Sequence, residues 1–146
     1  MTTVAQILGS KADPTVHTIE PSASVYEAIR LMADWNIGAL VVVERGQVVG
    51  IVSERDFARK ILLMARSTKD TPLSEIMSSR VMYVQPGHTA QECMALMTEN
   101  RLRHLPVMDD GRLIGLVSIG DLVKATISEQ QFIIEQLEHY ISGQRD

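Results

Sequence analysis

At 146 residues, with 45% hydrophobic and 22% charged side chains, the chain has room for one compact domain or two very small ones and the balance of a globular protein, not a disordered one. A formal net charge of −4 excludes the basic face expected of a general nucleic-acid binder. No apolar run nears the roughly 18 to 20 residues needed to cross a bilayer, so no membrane association is expected.

In chain order, the start Met1-Thr2-Thr3-Val4-Ala5-Gln6-Ile7-Leu8 lacks a basic n-region and a long apolar stretch, which predicts a cytoplasmic protein with a short helical lead-in. Val16–Ile19 reads as a short β segment ending near Pro21. Ser24-x-x-Glu27 is a capping box, in which the hydroxyl caps an early N–H and the Glu side chain reaches back to the cap. Val25, Ala28, Ile29 and Met32 follow at helical spacing. Two strands, Leu40–Val43 and Val48–Val52, flank the glycine-bearing spacer Glu44-Arg45-Gly46-Gln47, a hairpin signal. Their near-continuous Val, Ile and Leu runs predict strands buried on both faces. A second helix starts near Ser53.

The same order then repeats. Val16–Ala58 lies over Val81–Val123 at a constant offset of 65 residues, from Val16 to Val81, without a gap. The short β segment becomes Val81–Val84, the capping box Thr89-x-x-Glu92, and the helical stripe Ala90, Cys93, Met94 and Met97. The strands become Leu105–Met108 and Leu113–Val117 around Asp109-Asp110-Gly111-Arg112. Each repeat therefore reads β-α-β-β-α, an α/β (α+β) arrangement. The joining segment Arg59–Ser79 continues the helix through Ile61, Leu62 and Met64, then turns polar. Within it, Ser74-Glu75-Ile76-Met77 resembles Ala5-Gln6-Ile7-Leu8, a second lead-in. The expected division is 1–66 for the first repeat with its lead-in, 67–126 for the second, and 127–146 for a C-terminal amphipathic helix. Repeats this small are expected to share one core. The last helix carries Ile127, Ile134, Leu137 and Ile141 on one stripe, stops near Gly143, and fits its own domain or a partner chain equally well.

The repeated phrase with chemical content is Gly50-Ile51-Val52-Ser53-Glu54-Arg55-Asp56 and Gly115-Leu116-Val117-Ser118-Ile119-Gly120-Asp121. An apolar strand carrying a glycine runs into Ser-x-x-Asp at a helix start. Free N–H groups and a partial positive charge at such a start suit a phosphate, and the serine hydroxyl adds a donor. A carboxylate can accept both hydroxyls of a ribose, and apolar strand residues can enclose a flat base. Ser-x-x-Asp is equally close to an ordinary cap that needs no ligand.

This phrase resembles the signature of the CBS domain, and two copies in matched units resemble a CBS pair, or Bateman module, over essentially the whole chain. The similarity is strongest to stand-alone CBS-pair proteins of bacteria and plant organelles. The resemblance implies two repeats related by a pseudo-two-fold axis and a cleft that binds AMP or another adenine nucleotide, with NAD(H) a further option. It implies a first site built from Ile51, Val52, Ser53, Arg55 and Asp56 with Met82, Arg103 and His104. A second would use Leu116, Ser118, Gly120 and Asp121 with His17 and Ala39. Gly120 stands where the first repeat has Arg55, so the first site is expected to take the phosphates. The second is then weaker, empty or shaped for another part of a larger ligand. A homodimer acting on another protein in trans is the implied output. The alternative is a structural dimerisation module with degenerate clefts. No catalytic constellation is present, so an enzyme is not expected. His17, His88, His104 and His139 lack metal-ligand spacing, and Cys93, the only cysteine, excludes an internal disulfide or a multi-thiolate zinc site.

Overall fold

The computed structural model describes residues 1–142, and the expected helix stop at Gly143 lies outside them. The elements run α1 (Val4–Ser10), β1 (Thr18–Ile19), α2 (Val25–Trp35), β2 (Ala39–Glu44), β3 (Gln47–Ser53), α3 (Glu54–Phe57), α4 (Ala90–Asn100), β4 (His104–Asp109), β5 (Arg112–Ser118) and α5 (Ile119–Ile141). A π-helical stretch, Ala58–Leu62, extends α3, and one 3₁₀ turn spans Leu73–Glu75.

Both hairpins form in the expected place because their spacers supply the backbone the tight turn demands. Arg45 and Gly46 have φ of 51° and 77°, and Asp110 and Gly111 have 51° and 76°. Two successive positive φ values match the right-handed twist of the flanking strands. In each hairpin the register shifts by a bulge, between Val42 and Val43 and between Val107 and Met108. β1 runs parallel to β2, with Ile19 beside Val42. Its expected counterpart is reduced to one parallel bridge, Val84 beside Val107, and residues 81–83 form no strand.

Helix starts follow the caps, with one difference. Thr89 and Glu92 close a full capping box, and Thr3 with Gln6 closes another on α1. Ser24 Oγ accepts the Glu27 N–H, but Glu27 does not reach back. Instead the Val25 and Tyr26 N–H groups donate to the Thr71 and Thr68 carbonyls, because the joining segment runs past this helix start.

The chain folds as two compact units, Val16–Met82 and Met1–Thr15 with Tyr83–Asp146. This cuts the chain differently from the boundaries expected at residues 66 and 126. The buried residues show why. In the first unit they include Val25, Ala28, Met32, Leu40, Val42, Val52 and Phe57, joined by Leu73 and Ile76. In the other they are Ala90, Cys93, Met97, Leu105, Val107, Val117 and Leu122, each 65 residues on, joined by Val4 and Ile7. The lead-ins are exchanged: the one preceding each repeat in sequence completes the core of the other repeat. A repeat that is small for a stable core thereby gains a borrowed apolar segment.

The C-terminal helix is not a separate element. α5 is continuous for 23 residues from the Ser118 cap, and beyond Leu122 its apolar side chains, Ile127, Ile134, Leu137 and Ile141 among them, are exposed. No helix among the described residues is long and apolar enough to cross a membrane.

Candidate functional site: two strand-to-helix corners

In the unit Val16–Met82, β3 delivers Gly50, Ile51 and Val52 to a corner where the chain turns into α3. A Cβ on Gly50 would stand 2.6 Å from Met77 Sδ and 3.1 Å from the Ser78 carbonyl oxygen, so the glycine is required by the approach of the joining segment. There Ile51 N–H donates to Ser78 O at 3.0 Å and Ser78 N–H returns to Ile51 O at 3.1 Å. Ser53 is the cap. Asp56 Oδ2 accepts the Ser53 N–H at 2.9 Å and the Ser53 hydroxyl at 3.2 Å, while the Asp56 N–H approaches Ser53 Oγ at 3.4 Å. Asp56 Oδ1 is left with Lys60 Nζ, 3.8 Å away, and that ammonium already donates to Ile76 O at 2.8 Å. Arg55 is half-buried beside it. Ala39 is buried opposite Ser53 across the hairpin, His17 stacks on Trp35 with ring centroids 4.5 Å apart, and Met82 ends the unit half-buried.

The second corner repeats this backbone with different side chains. Ser118 caps α5, its N–H donating to Asp121 Oδ2 at 2.9 Å and its Oγ accepting the Asp121 N–H at 3.1 Å. Gly115 admits Leu8 of α1, whose Cδ2 would be 2.6 Å from an added Cβ. Gly120 leaves the position of Arg55 without a side chain. Lys11 instead enters from the lead-in, donating from Nζ to Leu116 O at 2.9 Å and to Asp121 Oδ2 at 3.1 Å. The protein's own cation therefore rests on the carboxylate expected to receive a ribose. Sequence spacing carries no signal for this contact.

His104 stands across β4–β5 from Ser118. Burial pushes its imidazole below the ordinary pKa of 6.5; Asp121 opposes that shift, while Lys11 and Arg103 add to it. Because the folded pKa lies below the unfolded one, the folded state binds fewer protons than the unfolded state just below pH 6.5. Stability present above pH 6.5 is therefore lost as pH falls through that value toward the folded pKa. Urea midpoints measured from pH 7.5 to 5 should fall more steeply for the wild type than for His104→Gln; parallel curves would refute the assignment. Cys93 lies in the core, where burial, with Glu92 adding, pushes its thiol pKa up and keeps it unreactive. Among the described residues no group of three or more His, Cys, Asp or Glu is placed to hold a metal ion.

The expected site residues thus divide between the units. Ile51, Val52, Ser53, Arg55, Asp56, Met82, His17 and Ala39 belong to one; Arg103, His104, Leu116, Ser118, Gly120 and Asp121 belong to the other. Within each unit the strand end, the serine and the aspartate converge as expected. Lys60, one turn on from Arg55, is the cation nearest Asp56, as its place in the sequence suggests; Lys11, the cation nearest Asp121, carried no signal in the sequence.

The duplicated hairpin and capped corner define a tandem repeat protein of the α/β class. A family model of the CBS domain matches residues 4–63 and again 73–128, and the chain belongs to that family with two copies in series. It is 39% identical over 150 residues to the mitochondrial CBS domain-containing protein CBSX3 of Arabidopsis thaliana, covering 97% of this chain and 73% of that one. A protein with CBS domains from Burkholderia ambifaria MC40-6 superposes with a TM-score of 0.85 at 56% identity, covering 88% of this chain and 96% of that one. A hexameric CBS-CP12 protein from bloom-forming cyanobacteria superposes with a TM-score of 0.75 at 27% identity, covering 84% of this chain and 70% of that one. Proteins built from CBS pairs are generally regulatory, often bind adenine nucleotides and often oligomerise.

Proposed function

We propose that this protein is a regulatory adenine-nucleotide sensor that catalyses no reaction and acts on another protein in trans. The carrying observation is the first corner, where Asp56 spends one oxygen on the Ser53 cap and keeps Oδ1 turned from it, with only a 3.8 Å ammonium alongside. A ribose diol suits that oxygen, the half-buried Arg55 suits a phosphate, and the β3 strand end suits a base. AMP, ADP, ATP and NAD(H) all contain these parts. Binding shifts the protein's output only through differential affinity for its states.

The exposed apolar side of α5, with Phe132 62% and Leu137 55% accessible, is proposed as the self-association surface of a homodimer. A purely structural dimerisation role is favoured by one observation: both Ser-x-x-Asp phrases are closed as caps without any ligand. One experiment separates the readings. A thermal-shift screen with AMP, ADP, ATP, NAD and NADH should raise the melting temperature for at least one ligand, because a ligand at 100 times its Kd adds about 2.7 kcal/mol. No shift with any of them leaves only the structural role. Light scattering on the same samples should give a dimer mass; a monomer would remove α5 from the proposal.

A further inference from the structure

The two corners differ in what already occupies their aspartates. At the second corner Lys11 Nζ sits 2.9 Å from Leu116 O and 3.1 Å from Asp121 Oδ2, with the Lys11 and Asp121 side chains only 28% and 23% accessible. This is a short, charge-assisted pair screened from bulk water, of the kind that holds its geometry. At the first corner Lys60 stays 3.8 Å from Asp56 and is committed to Ile76 O. The lead-ins align with Ile7-Leu8 on Ile76-Met77, which sets Arg80 opposite Lys11. Arg80 is exposed, and the carbonyl equivalent to Leu116 O, that of Ile51, is held by the Ser78 N–H.

Resting on the nucleotide reading, we propose that Lys11 is the specificity-determining residue of the second corner: its ammonium stands in for a ligand hydroxyl on Asp121, so a nucleotide fills the first corner ahead of the second. A ribose reaching Asp121 has to displace that ammonium. The displaced side chain has somewhere to go. The pair opens onto a cleft of about 640 Å³ between α1 and α5, lined among others by Ser10, Lys124, Ser128 and Glu129. A lysine pair that must be broken before binding lowers affinity by about 10- to 100-fold, the cost of a hydrogen bond to a charged group.

Titration calorimetry of the full chain with AMP tests this. The wild type should bind AMP at one site per chain, and Lys11→Met should add a second or tighten a weak one by about 10- to 100-fold, leaving the first unchanged. Lys11→Gln, which keeps a polar side chain without the charge, should behave as Lys11→Met does. If the wild type binds at one site and both variants titrate identically to it, this inference falls while the nucleotide reading stands. If none of the three binds AMP or shifts with any nucleotide of the screen, the nucleotide reading falls and takes the inference with it. A nucleotide-free readout isolates the contact itself. Brief acetylation read by mass spectrometry should label Lys11 more slowly than the exposed Lys124, and Asp121→Asn, which leaves the Leu116 carbonyl in place, should narrow the difference. Equal labelling of the two lysines in the wild type would overturn the occupied corner.

Discussion

Alanine at Asp56 should weaken AMP binding by about 10- to 100-fold, the loss of 1.5 to 3 kcal/mol that follows removal of a charged hydrogen-bond partner. The same side chain also closes a capping box, accepting the Ser53 N–H and hydroxyl. Its removal therefore costs stability as well, about 1 kcal/mol for the cap. The two roles separate because they use different oxygens. Asparagine can still accept the Ser53 N–H through its single carbonyl oxygen. It carries no charge, and it offers a ribose an NH₂ donor where the diol wants an acceptor. Asp56→Asn should accordingly unfold at nearly the wild-type urea concentration and still lose most of the affinity lost by Asp56→Ala. Calorimetric titration and urea denaturation of the three proteins decide it: equal Kd values would leave Asp56 as a cap and nothing more.

The second large effect is on stability. Gly50→Ala should destabilise the protein by about 1–3 kcal/mol, the usual cost of forcing an extra carbon into a packed site. The new methyl would meet the Met77 side chain at 2.6 Å and 2.9 Å, and that chain can swing away. It would also meet the Ser78 carbonyl oxygen at 3.1 Å, and that oxygen cannot move without disturbing the Ile51–Ser78 pair of hydrogen bonds. At the equivalent Gly115, the three nearest atoms all belong to the half-buried Leu8 side chain. Neither glycine has a positive φ, so alanine faces no backbone penalty at either. Gly115→Ala should therefore cost less than Gly50→Ala. Urea midpoints in the reverse order would show that the joining segment at Ser78 yields more easily than α1 does.

Much of the molecule is written in local sequence. Arg45-Gly46 and Asp110-Gly111 turn where short polar spacers with glycine predict, and Thr89 and Glu92 close the expected box. Ser53 with Asp56, and Ser118 with Asp121, sit at strand-to-helix corners as their motif demands. Each of these features depends on residues within a few positions of one another, so periodicity and turn chemistry reveal it. The 65-residue register then carries Val25, Ala28, Met32, Leu40, Val42, Val52 and Phe57 of one core onto buried positions of the other. Glu27 shows where this stops: its box has the right spelling, yet the backbone around residues 68–71 takes up the neighbouring donors and the return arm stays open.

What only the tertiary structure decided is how the segments outside the repeat register are used. Val4 and Ile7 complete one core, and Leu73 and Ile76 the other, against the order of the chain. α5 runs on without the break expected at residue 126, because no glycine or proline interrupts it between there and Ile141. Lys11 reaches Leu116 and Asp121 across more than a hundred residues. Apolar spacing tells a segment to bury a face but not which partner buries it, and a lone lysine has no spacing at all. Such choices are settled by which long-range packing closes both cores at once, and that is a property of the folded chain.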